Sequence, residues 1–541
     1  MSEPSAGPSA PAVSAAPVAA WVPLAQPVFR MLWGVWIVAN VCMWMNDVAA
    51  AWLMTSLTSA PVMVALVQTA STLPVFLLGL PSGAMADIVD RRRYLIVTQV
   101  WVAAVSLVIG AVVALDAVTA PLLLALTFAN GIGLAMRWPV FAAIVPELVP
   151  RHHLPAALAL NGVAMNASRI VGPIVAGAII ASFGSAFVFA LNAVLSVGAA
   201  FAIFRWKREQ KVSVLPGERF VGAMRVGLQY VRQSHRMHAV LLRVSLFFLQ
   251  SMALLGLLPL VARGLPGGGA GTYTLLLACM GAGAIAAALF LPRLRAAVSR
   301  DGLVTYGTVL QAGAMLVVSV APNAWVAALA MAVAGGAWIS AANSLTMSAQ
   351  LALPDWVRAR GMSIYQMALM GSSAFGAALW GQVATWTDVR TSLIAASAGA
   401  LAGLLVTRRF PVETGMVEDL TPAEFARPAG TEIDIDPHAG PVLITIEYRI
   451  DPALTPQFLE VMQETRRNRL RHGMLSWGLF RDAADPACFI EHFVDESWVE
   501  HLRHFERMTA YDLVLRERRL SFHIGEAPPQ VLRYIAQALD R

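Results

Sequence analysis

The sequence predicts an all-α polytopic membrane protein, with twelve transmembrane helices in two six-helix halves, followed by a small C-terminal α+β domain. Three observations carry this expectation. Hydrophobic residues fill 57% of the 541 positions and charged residues 13%, with a mean hydropathy of +0.64, too apolar for a soluble chain of this length. Segments of about 20 apolar residues, enough at ~1.5 Å per residue to cross ~30 Å of hydrocarbon, recur from Met31 to Val406. Beyond Arg409 the apolar runs stop and charges become frequent.

The predicted spans are 30–53, 61–85, 94–115, 119–143, 156–182 and 185–204 in one half (29–204), and 239–262, 271–291, 302–321, 324–347, 361–386 and 390–407 in the other (239–409). Connections as short as Ser182-Phe183-Gly184-Ser185 and Ala321-Pro322-Asn323-Ala324 make neighbouring spans antiparallel. Residues 1–28, rich in Ala, Pro and Ser and without Lys or Arg, read as a disordered lead-in lacking the charged start of a secretory signal. Between the halves, 205–238 is polar. Phe220, Met224, Leu228 and Val231 recur there at helical spacing, the pattern of an amphipathic helix on the membrane surface. A shift of 204 residues places Pro150 on Pro354, Gly172 on Gly376 and Gly177 on Gly381, as expected if the second six spans repeat the first.

Cations orient the bundle, because Lys and Arg near span ends stay cytoplasmic. Alternate connections hold Arg91 to Arg93, Arg151, eight Lys/Arg between Arg205 and Arg236, Arg293, Arg295, Arg300, Arg358, Arg360, Arg408 and Arg409. The opposite side holds only Arg263 and Arg390, so both termini are expected in the cytoplasm. The net charge of +6 mostly reflects this excess and suits anionic lipid rather than nucleic acid. Only two lysines occur, which together with abundant alanine suggests a bacterial, GC-rich origin and hence the inner membrane. Cys42, Cys279 and Cys488 offer no disulfide framework.

A linker, 410–440, leads to the tail, 441–541. Val442 to Ile450 alternates like a strand, Leu454 to Leu470 has helical spacing, Ser476 to Arg481 and Cys488 to Val494 read as strands, and Ser497 onward as helix. With a last strand near Leu520 to Ile524, this order suggests a ferredoxin-like sandwich. His501 and His504 stand one turn apart beside Glu500, and His492 follows Glu491. Surface histidines are the expectation there, and neither a metal nor a cofactor is predicted.

Several residues are candidates for transport. Gly83, Asp87, Asp90, Arg91, Arg92 and Arg93 form a tight charged turn between two spans, where Asp87 is placed to pair with a cation or helix N-terminus as one half moves on the other. The arginines would fix the turn to headgroups. Arg169, roughly 20 Å into the fifth span by rise per residue, is costly unless it faces a partner or water. It shares a helical face with Asn161 and Gly172, and Gly172-Pro173 permits a bend and close packing. Asp47, with Asn40 and Asn46 nearby, is the clearest acid within a span and has the character of a proton-coupling switch; hydration at the outer boundary is the alternative. Arg137 and Arg243 lie near span ends, where snorkelling to headgroups is expected. Asn192, Gln250, Gln311, Asn343, Gln350 and Gln366 suit helix-to-helix hydrogen bonds.

Gly83 to Arg93 resembles the major facilitator superfamily signature between the second and third helices. Phe29-Arg30-Met31-Leu32-Trp33, Ala51-Trp52-Leu53-Met54-Thr55-Ser56-Leu57-Thr58, Pro146-Glu147-Leu148-Val149-Pro150 and Asn166 to Pro173 resemble its transmembrane secretion effectors, the branch that includes the enterobactin exporters. In the tail, Trp477-Gly478-Leu479-Phe480-Arg481-Asp482 and Glu496 to Leu502 are similar to that branch's appended domain. The resemblance implies the major facilitator fold, ties Gly172, Pro173 and Gly177 to the exporters' Gly-Pro motif, and pairs Arg137 with Asp87 or Glu147 as a gate latch. The loop Leu291 to Arg295 departs from the signature, having no acidic partner.

The expected function is a secondary transporter, proton-coupled and exporting a siderophore or drug-like small molecule by alternating access, and not an enzyme. The chain lacks a Gly-x-x-x-x-Gly-Lys-Ser/Thr phosphate loop and has no lysine in its spans, which argues against a self-contained ATP-driven pump. Expected partners are substrate, protons and lipid. The tail reads as a regulatory, dimerising or ligand-sensing module, with a monooxygenase-like enzyme as the alternative; for the whole protein the alternative is a non-transporting membrane sensor.

Overall fold

The structure is a computed structural model that describes residues 21–150, 153–206, 220–411, 418–423 and 435–537. Six helices form the N-terminal half: α1 (Pro27–Leu57), α2 (Pro61–Ile88), α3 (Arg91–Ala114), α4 (Ala120–Leu148), α5 (Leu154–Phe183) and α6 (Ser185–Arg205). A short α7 (Phe220–Gln233) precedes six more: α8 (His235–Gly264), α9 (Ala270–Ala297), α10 (Arg300–Ser319), α11 (Ala324–Leu351), α12 (Arg358–Trp386) and α13 (Val389–Thr407). Eleven of the described helices are long and apolar enough to cross a membrane. The twelfth long one, α12, is diluted by Arg358, Arg360, Gln366, Gln382 and a run of Ser and Thr. A 3-10 turn at Val22–Ala25 precedes α1, which starts at Pro27 because proline is tolerated in a first helical turn.

The predicted repeat is visible in the packing. Gly172 of α5 lies against Trp44 of α1, and its counterpart Gly376 of α12 lies against Leu249 of α8. Gly177 of α5 meets Thr274 of α9, and Gly381 of α12 meets Ala65 of α2, so the second pair of glycines joins the two halves in equivalent ways. A Cβ added at Gly381 would stand 2.5 Å from that of Ala65, so only glycine lets these helices approach so closely.

The tail contains β1 (Val442–Arg449), α14 (Thr455–Arg471), β2 (Ser476–Arg481), β3 (Cys488–Asp495), α15 (Trp498–Glu506), α16 (Ala510–Leu520) and β4 (Gln530–Ile535). All pairings are antiparallel and the sheet order is β2-β3-β1-β4, which is ferredoxin-like. The last strand is ten residues later than expected. Leu520, Phe522 and Ile524 alternate like a strand, but Leu520 ends α16 and only His523 makes an isolated bridge, to Ile450. Val442, Ile444, Tyr448, Phe458, Phe489 and Phe493 build the core between sheet and helices.

Helix α7 does more than lie flat. Val226, Tyr230 and Val231 are buried while Leu228 is 60% exposed, and the helix packs on α12 and on the tail. Arg225 pairs with Glu496 at 2.6 Å, and Gln229 donates to the Met474 carbonyl at 3.0 Å. From the α11–α12 connection, Trp356 packs against Tyr230 (5.9 Å), His472 (5.6 Å) and the Arg507 guanidinium (5.2 Å). The tail is thereby bracketed onto the C-terminal half.

Candidate functional site

The end of the bundle bearing the tail and the opposite, distal end differ in how the halves meet. At the distal end Arg263 of α8 donates to the Thr55 carbonyl of α1, and Thr385 of α12 accepts from the Val62 amide of α2 at 3.1 Å. Trp52 of α1 stacks on Tyr273 of α9 at 6.1 Å. Farther toward the middle, Thr69 of α2 donates to the Ala374 carbonyl of α12 at 2.8 Å.

Inside the N-terminal half, α1, α2, α3, α4 and α6 enclose a cavity of about 30 Å³. Its polar wall is Asn46 and Asp47 of α1, Ser71 of α2, Thr127, Asn130 and Arg137 of α4, and Asn192 and Ser196 of α6. The Asn192 amide reaches Asn46 Oδ1 at 3.5 Å, and Ser196 donates to Asn192 at 3.3 Å. A space of this size and polarity suits one or two waters and is far smaller than a drug-like molecule.

Arg137 is therefore not a snorkelling residue. It lies near the middle of α4, 5% exposed, donating to the Ala39 carbonyl at 3.3 Å and standing 5.6 Å over the Trp36 ring. Its Nε and Nη2 are buried without a hydrogen-bond partner. The longer α4 explains the difference, since the helix continues to Leu148 and leaves Arg137 deep. Arg243 is also buried, at 7% exposed. It pairs with Asp301 of α10 at 2.7 Å and donates to the Thr407 and Phe410 carbonyls at 3.0 and 3.2 Å. The second half thus has its acid after all, at the start of α10 rather than in the loop before it. Breaking such a buried pair costs roughly 3–5 kcal/mol.

In the charged turn, Asp90 caps α3 by accepting from the Arg93 amide at 2.9 Å. Arg92 is anchored to protein: it donates to the Ile203 carbonyl at 3.3 Å and to that of Phe204, at the C-terminus of α6, where a cation complements the helix dipole. Gly83, the side chains of Asp87 and Glu147, and Arg151 lie outside the described residues. Asn40 is fully buried but turned along its own helix, donating to the Trp36 carbonyl at 2.8 Å. Asn161 keeps a buried, unpartnered Oδ1, and Arg169 stands against Trp44, with Gly172 on the same neighbour. Pro173 sits within α5.

The tail histidines belong to a buried polar cluster. His501 contacts Asp495 at 2.8 Å and accepts from Arg533 at 3.1 Å, while His504 lies 3.4 Å from Arg469 and packs on His472. His472 in turn contacts Asp512 at 3.2 Å. Glu491, fully buried, receives Arg469, Trp477 and Tyr448 at 3.1, 2.9 and 2.9 Å. Burial alone would raise its carboxyl, but Arg469, Arg519 and these donors hold it at about 2. Among the described residues no group of three His, Cys, Asp or Glu is arranged to hold a metal.

Two six-helix halves joined by symmetric glycine contacts define a membrane transporter of the major facilitator type. The family model described as transmembrane secretion effector matches residues 18–540, and the chain belongs to that family. Macrolide efflux protein A of Streptococcus pyogenes is 23% identical over 43% of this chain and 58% of its own. An uncharacterized MFS-type transporter, YfiS, of Bacillus subtilis is 27% identical over 32% and 42%. The chain thus spans less than two thirds of these relatives. In fold it is similar to an inward-facing, unoccupied bacterial homologue of the lysosomal transporter Spinster (TM-score 0.55, 13% identity, 71% of this chain and 97% of that one). It is equally similar to a D-xylose–proton symporter (TM-score 0.56, 14% identity, 70% and 97%).

Proposed function

We propose that the protein is a proton-coupled exporter of the bacterial inner membrane that moves an amphipathic, drug-like molecule by alternating access, with Asp47 carrying the coupling proton. The observation that carries this reading is the shared cavity of Asp47 and Arg137. Protonation neutralises Asp47, the acid lining this cavity, and the water-sized space offers a hydrated route for the proton. Interhalf contacts concentrated at the distal end and middle support a state open toward the tail side, which the arginine asymmetry makes cytoplasmic. The Gly83 to Arg93 turn then acts as the cytoplasmic gate, with Asp87 and Arg137 on its moving half. Export of a drug-like compound is supported by the macrolide efflux relatives. The tail serves docking rather than turnover, because its polar cluster is spent on internal contacts.

Everted vesicles carrying the protein and an acid interior provide the test. Macrolides, siderophores and aromatic dyes should include a compound whose accumulation dissipates the pH gradient. If no compound moves and the gradient never changes, the proposal fails.

A further inference from the structure

Arg169 lies at the middle of α5 with its guanidinium over two indole rings, 5.3 Å from Trp44 of α1 and 6.0 Å from Trp338 of α11. Trp338 belongs to the other half, so the cation occupies the seam between halves. Behind it Trp338 packs edge-on against Phe247 and Phe248 of α8, at 6.0 and 4.9 Å. The seam is thus walled by aromatic rings from both halves.

Two donors here are buried without a hydrogen-bond partner, Arg169 Nε and Trp44 Nε1. Leaving such groups unsatisfied is costly, more so for a charged one, and native proteins leave few. Among the described residues no carboxylate pairs with Arg169. The rings stabilise the cation in part, but they accept no hydrogen bond in the plane of its N–H groups. Two unfilled donors, one cationic, beside flat apolar walls match a molecule with an aromatic body and an anionic oxygen group.

We propose that this seam binds an amphipathic aromatic anion, whose carboxylate or sulfonate accepts from Arg169 Nε and Trp44 Nε1 while its rings lie on Trp338. Charge-assisted bonds of this kind are the stronger ones, and the occupant contacts both halves at once. The inference names the substrate class of the exporter proposed above and rests on that reading for the molecule being moved.

The test uses the full chain in lipid nanodiscs and three probes with one ring system: naphthalene-2-sulfonate, 2-naphthalenemethanol and a trimethylammonium naphthylmethyl cation. Equilibrium dialysis should show the sulfonate bound at least ~10-fold more tightly than the cation, a preference of about 1.4 kcal/mol. Arg169→Gln should weaken the sulfonate ~10-fold or more and leave the alcohol within about 2-fold. Trp44→Phe, which keeps a ring but loses the N–H, should weaken the sulfonate roughly 5-fold. Equal or tighter binding of the cation, equal losses for all three probes in Arg169→Gln, or no binding at all would overturn the site. A protein that binds it but shows no proton-driven flux sinks the exporter reading alone, and one that pumps a cation while ignoring the sulfonate sinks this site alone.

Discussion

Asp47 on α1 and Arg137 on α4 line one cavity of about 30 Å³, the acid and the cation far apart in sequence but enclosed by the same wall of asparagines. A positive group this deep needs a counter-charge or water. Arg137→Gln is expected to fold and to lose at least ~10-fold of gradient-driven flux, because the cavity that Asp47 lines would lose its cation. Arg137→Lys should recover only part of it, since an ammonium keeps the charge but not the planar approach to Trp36. Flux assays on both variants at matched expression check this; equal activity of Gln and native protein would remove Arg137.

The glycines at the distal seam give a conformational prediction. Gly177→Val and Gly381→Val add bulk where Thr274 and Ala65 already stand, so each should push the halves apart at that end. Spin labels at Ser59 and Pro266, in the connections after α1 and α8, should report longer distances in the variants. Unchanged distances would show that the seam relaxes without opening.

Tail docking separates a weak contact from a stronger one. Arg225 and Glu496 are each 35% exposed, and a pair that exposed contributes at most ~1 kcal/mol, so Arg225→Ala should barely alter hydrogen exchange of residues 468–474. Trp356→Ala removes ring contacts with Tyr230, His472 and Arg507 and should raise exchange there, consistent with ~2 kcal/mol of lost burial. The reverse ranking would place the anchor in the ion pair.

Much of this architecture was legible in the sequence because membrane crossing and strand alternation are local patterns. The span lengths follow from apolar runs, and the pairing of Gly172 with Gly376 and Gly177 with Gly381 follows from a constant offset. Which residues meet across helices is not local. Asp47 and Arg169 stood out by charge alone, but a hydropathy pattern does not reveal that Arg137 and Asp47 share a cavity, or that Cys42, Thr127 and Asn130 help to line it. Adjacent polar Asn46 was the available signal. The burial of Arg243 is not legible locally, because its acid, Asp301, is distant in sequence and begins a different helix. The position of the final strand is hidden because three alternating apolar residues, starting at the last residue of α16, imitate one.

Acid should loosen the tail in two stages. Burial and the neighbouring His472 and Arg469 push His504 well below its usual 6.5, so below that pH the unfolded chain takes up the proton first and stability declines. Glu491, held at about 2 against an ordinary 4.5, contributes stability that is complete above 4.5 and is lost as pH falls toward 2. Protection factors for β3 amides in the full chain, corrected for intrinsic exchange, should fall in both ranges. His504→Gln should flatten the upper limb and Glu491→Gln the lower one; protection that rises with acid would contradict the assignment.

Coupling of proton movement to transport at Asp47 is tested most directly by comparing two fluxes of one compound in proteoliposomes. Asp47→Asn should retain downhill movement within about 2-fold of the native protein while losing essentially all uphill, gradient-driven movement. Uphill accumulation undiminished in Asp47→Asn, with the pH gradient still consumed, would show that Asp47 does not carry the coupling proton.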